Sequence, residues 1–208
     1  MATFYFFQVI IYNIVVSMKK NPTNKQQAWD AKISYYKHDV HDALGKKIDP
    51  AVLDAVVALN LMGYKTLMSC EGHIDHGTGG PYIDVEVTGA EKQLAELEAF
   101  EKTHKMHKPK SSLESQDFQE WEALRQKIDD YSLTWAKGLQ KILDLYRRKN
   151  SSSSFVVDSI YPGAVRIEPK EILDNDLVGG DQKKEMLNKY QKDLAELSAF
   201  LKAYYFNN

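Results

Sequence analysis

The chain predicts a soluble α+β fold: a small, mainly antiparallel sheet packed with helices that include a long helical hairpin. Three observations predict it. Residues Tyr82 to Val87 alternate apolar and polar side chains, the period of a half-covered strand. Phe155 to Ile160 and Ala164 to Glu168 read as two strands joined by Tyr161-Pro162-Gly163, a sequence suited to a tight turn. Between and around these strands, four long segments carry apolar residues at steps of three and four.

Taken in order, the elements are these. Phe4 to Val16 is apolar and β-branched, interrupted by Gln8 and Asn13 and stopped by Lys19-Lys20. It is shorter than the ~20 residues a membrane helix needs and lacks the flanks of a signal peptide. It reads as an extension or irregular segment, as a strand, or as a membrane anchor. Asn21 to Gln27 is polar and predicts a linker. The domain limits follow: an apolar segment and linker over 1–27, and a single α+β domain over 28–208.

Ala28 to Leu44 predicts an amphipathic helix through Trp29, Ile33, Tyr36, Val40 and Leu44. Asp49-Pro50 then supplies an N-cap and a proline in the first turn. Val52 to Leu61 continues that second helix, and Gly63 ends it in a left-handed C-cap. Tyr64 to Ser69 predicts a short strand, and the glycines between Cys70 and Gly80 exclude regular structure. Ala90 to about His104 predicts a helix, broken by Lys108-Pro109. A long helix follows, striped by Phe118, Trp121, Leu124, Ile128, Tyr131, Trp135, Leu139, Ile142 and Tyr146, and the two are expected to pair antiparallel. Asp181 to Tyr205 predicts the final helix. Leu94-Ala95-Glu96-Leu97 recurs as Leu194-Ala195-Glu196-Leu197, which is either an echo of duplication or common helix composition.

With 27 basic and 29 acidic residues, the formal net charge is -2. No global field draws this chain to nucleic acid or anionic lipid. Cys70 is the one cysteine, so an internal disulfide is excluded and a reducing, cytoplasmic compartment is expected. The sequence contains no P-loop, dinucleotide fingerprint, His-Glu-x-x-His or Gly-x-Ser-x-Gly motif.

The candidate site is the loop Ser69-Cys70-Glu71-Gly72-His73-Ile74-Asp75-His76. Thiolate and imidazole are preferred zinc ligands, and Cys70, His73 and His76 are closely spaced. Gly72 and Gly77 permit the sharp turn that would aim them at one ion. An open fourth position would hold water, with Glu71 as general base. Alternatively the turn's backbone N–H groups bind a small anionic ligand. Ser69, Cys70 and His73 would then line a pocket with Asp84, Glu86, Arg166 and Glu168, which share the polar face of their strands and are expected to stand on an open side of the sheet. Cys70 as a nucleophile with His73 and Glu71 is a further arrangement of the same groups. The pairs His38/His41 and His104/His107 lack a third ligand and read as surface residues.

At Gly63-Tyr64-Lys65-Thr66-Leu67-Met68-Ser69-Cys70-Glu71-Gly72-His73, with Pro81-Tyr82-Ile83-Asp84 and Arg166-Ile167-Glu168-Pro169, the chain resembles a group of small bacterial and phage proteins. They share a Gly-x-x-Thr strand and a Ser-Cys-x-Gly-His turn. The resemblance implies a phage or mobile-element setting and the location of a site; no established activity accompanies it. The Ser-Cys-x-Gly turn is also similar to that of the wybutosine-synthesis methyltransferase family, where arginine stands in place of His73.

Three functions are therefore expected from one sequence. The first is a small-ligand-binding or regulatory protein with its pocket at the Cys70–His76 loop. The second is a zinc-dependent hydrolase using the same loop. The third is a scaffold that binds a protein partner along Gln116–Arg147, with Trp121 and Trp135 partly exposed.

Overall fold

The computed structural model describes residues 22–40, 45–74, 80–104, 116–171 and 180–208. The apolar segment Phe4–Val16 and the residues His41, Asp75, His76 and His107 lie outside them. The described chain is α+β, in chain order α1 (Pro22–His38), α2 (Pro50–Leu61), β1 (Thr66–Cys70), β2 (Tyr82–Glu86), α3 (Glu91–His104), α4 (Gln116–Trp135), α5 (Lys137–Lys149), β3 (Phe155–Tyr161), β4 (Ala164–Pro169) and α6 (Gly180–Asn207). It divides into two compact units. One holds the described residues up to Pro81 together with those from 180 onward; the other runs from Tyr82 through the end of β4.

In the first unit α2 is apolar on nearly all sides. Val52, Leu53, Ala55, Val56, Val57, Ala58 and Leu59 are buried. Such a helix must be covered on several faces, and α1, β1 and α6 all pack against it. From α6 come Leu187, Tyr190, Leu194, Leu197 and Leu201. Met62 caps α2, and Gly63 follows at φ 93°, the left-handed position predicted for it. Asn60 Nδ2 donates to Val56 O and to Thr66 Oγ1, tying the end of α2 to the first residue of β1.

The predicted linker is helical instead, from Pro22. Proline suits a first turn, and the segment is held by tertiary contacts that composition does not reveal. Lys25 Nζ donates to the carbonyls of Tyr205 and Phe206 at the C-terminal end of α6, where cations are favoured. Trp29 packs against the rings of the same two residues. Helix α1 ends at His38, ahead of the predicted Leu44.

The second unit holds an antiparallel sheet with β4 between β2 and β3. Asp84 stands opposite Arg166 and Arg166 opposite Asp158, while Ile83 and Val157 both oppose Ile167. The apolar face (Ile83, Val85, Val165, Ile167, Phe155 and Val157) is buried, and α4 and α5 pack on the sheet. Gly163, at φ 83°, closes the turn between β3 and β4. A side chain there would collide with Leu94 of α3.

Helices α3 and α4 do form an antiparallel pair. Glu96 meets Lys127, and Glu101 meets Trp121, so positions rise along one helix as they fall along the other. The single long helix expected after α3 is two, α4 and α5, with a break at Ala136 (ψ -8°). Ser132 lies before the break and Gly138 after it, residue types that accompany helix kinks. Trp121 and Trp135 are half-buried, with their indole N–H groups donating to Glu101 and Thr88.

Candidate functional site

The site-like cluster lies in the first unit, where the turn after β1 meets the N-terminus of α2. Cys70 is the last residue of β1, and Gly72 turns the chain at φ 88°. Gly72 cannot carry a side chain. An added Cβ would come within 2.8 Å of Leu187 Cδ1 and of the Pro81 nitrogen. The sharp turn that the spacing required is therefore built around a glycine in a closed cradle.

This turn brings Cys70 and His73 to Asp49. One thiol sulfur, one ring nitrogen and one carboxylate oxygen of the three residues all lie within 4.8 Å of one another. His73 Nε2 is 3.6 Å from Asp49 Oδ2. All three residues are half-buried. The Gly72 N–H points at Cys70 Sγ, 3.3 Å away, a contact that favours a thiolate. Burial nonetheless pushes the Cys70 thiol up, only partly offset by that N–H, and the negative charges of Asp49 and Glu71 push the same way. Taken together these influences favour the protonated thiol.

Asp49 was legible in the sequence only as a helix cap. In the structure its side chain makes no capping bond to α2. Its Oδ2 accepts from the Glu71 N–H at 3.0 Å instead. Glu71 in turn reaches back, and its Oε2 accepts from the Ala51 N–H at 3.3 Å. The two acidic residues exchange roles: the loop's carboxylate caps the helix, and the capping position's carboxylate faces the loop. Asp49 is thereby left turned toward Cys70 and His73. A side chain 21 positions before Cys70 leaves no trace in a local spacing pattern, which is why the sequence pointed to His76 for the third ligand. His76 lies outside the described residues. Ser69 is half-buried on β1.

Of the remaining predicted residues, all in the second unit, Asp84, Arg166 and Glu168 form an ion network on the sheet. Arg166 donates from Nε to Asp84 Oδ1 at 2.6 Å and from Nη2 to Oδ2 at 2.9 Å, a two-pronged pair. Its Nη1 is 3.8 Å from Glu168 Oε2, and its guanidinium lies 4.1 Å from the Tyr82 ring centre. The expected open face is not open here: Asp84 is 0% and Glu168 2% exposed. Arginine makes this possible, since a buried carboxylate survives only when paired. Burial pushes the Glu168 carboxyl above the usual carboxylate range, against the pull of Arg166, with Asp158 and Asp84 adding to the rise. The hydrogen bond from Arg166 to Asp84 raises the arginine in turn. Glu86 is half-buried at the end of β2.

Compared with known proteins, the chain matches no family model, no curated protein and no solved structure.

Proposed function

We propose that this protein binds a divalent transition metal of the zinc class through Asp49, Cys70 and His73, and holds a small ligand at the remaining position. One observation carries the reading: donors of three different chemistries, from two separate segments, converge within 4.8 Å. Sulfur, nitrogen and oxygen donors in that number are those of an open zinc site, in which three protein ligands leave the fourth place to water or substrate. Dicationic metal, thiolate and carboxylate sum to zero charge with a neutral imidazole, so the half-buried site bears its ion without a surplus. A bound dication would favour the thiolate against the rise that burial gives the Cys70 thiol.

Hydrolysis at such a site is the narrower alternative. It would use the Lewis-acid or water-activating chemistry of the ion. Glu71, the base expected for it, has its carboxylate against the Ala51 N–H, so its contribution here is to hold the helix and turn together. We therefore place ligand binding ahead of hydrolysis.

The test is metal content after purification with and without added zinc, read by elemental analysis and native mass spectrometry. One equivalent of metal, removed by a chelator, is expected for the natural protein. Asp49→Asn, Cys70→Ser and His73→Ala should each lower occupancy by an order of magnitude or more. Full occupancy in folded Cys70→Ser protein would rule the site out.

A further inference from the structure

Helix α6 meets the metal-ligand turn at Gly72, between the two loop ligands. Gln191 Nε2 donates to the Gly72 carbonyl at 3.0 Å. Four residues earlier on the same helix face, Leu187 fills the place a Gly72 side chain would occupy. On its other side the turn is tied to α2 by the exchange between Asp49, Glu71 and Ala51.

We infer that Gln191 is a positioning residue for the metal site, setting its affinity through the Gly72 carbonyl. The inference rests on the metal reading above. Its physical basis is the peptide between Gly72 and His73. Glycine leaves that peptide plane free to rotate, because no Cβ restrains its backbone. A donor on the carbonyl oxygen holds the plane in one orientation, and that orientation decides where the His73 side chain leaves the backbone. Cys70, two residues back, is steadied through the same turn by the Gly72 N–H. Thus one glycine carries both bonds: its N–H faces a ligand sulfur, and its C=O is held by Gln191. Outer partners of this kind typically change metal affinity about 10–100-fold when removed.

The experiment is cobalt(II) titration of the full chain, following the thiolate-to-cobalt and d–d absorption bands, with zinc competition for affinity. Two variants are compared with the natural protein. Gln191→Leu removes the donor, and Gln191→Glu keeps the shape but opposes an acceptor to the carbonyl. Metal-free thermal unfolding is measured in parallel. The inference predicts that both variants bind cobalt at least about tenfold more weakly, with altered d–d bands, while metal-free unfolding stays close to the natural protein's. Unchanged affinity and spectrum in the variants would overturn this inference and leave the metal reading intact. Weakened binding that tracks a loss of metal-free stability, with an unchanged spectrum, would make Gln191 merely structural and overturn it as well. A natural protein without a thiolate–cobalt band would remove both.

Discussion

Glu71 is tied into the start of α2. From its place next to Cys70 and near His73 it read as a base; in the structure its carboxylate accepts the Ala51 N–H. Those first-turn N–H groups have no partner within their own helix, so an external acceptor stabilises the helix. Proline at position 50 removes one such donor, and Asp49, turned outward, does not serve the next. The two roles separate on substitution. Glu71→Gln keeps an acceptor oxygen but cannot act as a base, and it should retain most stability and metal affinity. Glu71→Ala should lose about 1 kcal/mol by chemical denaturation, the usual worth of a cap. Equal stability in the two variants would show that the Ala51 contact contributes nothing. Gly72 makes the complementary point: a glycine in a turn is ordinary, but this one is required by Leu187 and Pro81, atoms that no local sequence rule brings near.

Among the elements, the β2–β4 pair shows the difference between a polar face and an exposed one. Alternation along Tyr82 to Val87 and Ala164 to Glu168 correctly separated apolar from charged positions. It did not reveal that the charged side chains would be enclosed. Removing one member of a buried pair strands the other, at a cost of roughly 3–5 kcal/mol. Asp84→Asn should therefore destabilise severely, because Arg166 loses both hydrogen bonds to a carboxylate. Glu168→Gln should be mild and pH-dependent. Its carboxyl is raised in the folded state, so its favourable contribution is full below the usual glutamate range and is lost as pH rises through the raised folded value. Relative to the natural protein, Glu168→Gln should then gain stability as pH moves from acid to neutral. Denaturant midpoints across that range measure it, and a difference that does not vary with pH would contradict the assignment. The helical elements tell a similar story. The apolar stripe after residue 116 was visible, while the break at Ala136 was not, since the stripe continues across it.

At the scale of the molecule, the proposed ligands and their supports all belong to one unit: Asp49, Glu71, Gly72 and Gln191 with Cys70 and His73. A metal that binds the folded site stabilises the fold by mass action, about 2.7 kcal/mol at a hundredfold excess over Kd. Zinc should raise the thermal midpoint of the natural protein and leave Cys70→Ser unmoved. The effect should grow as pH rises from neutral toward the thiol range, because burial keeps Cys70 protonated and each bound metal must displace that proton. A zinc shift that is equal in Cys70→Ser would place the ion elsewhere. Among the described residues no helix is long and apolar enough to cross a membrane.

The sequence by itself determined the α+β class, the number and type of the described strands, and the apolar stripes of the helices, because these depend on periods of two and 3.6 residues within one segment. It also marked the Cys70–His76 loop as irregular, and the described part of it leaves β1 and turns at Gly72, because glycine spacing is local. Only the tertiary structure decided the rest. It made residues 22–27 helical through Lys25 and Trp29 against the end of α6. It enclosed Asp84 and Glu168 around Arg166. It set Asp49 beside Cys70 and His73, and Gln191 against Gly72. Each of these joins side chains far apart in the chain, and no local pattern encodes which distant partner a folded backbone will deliver.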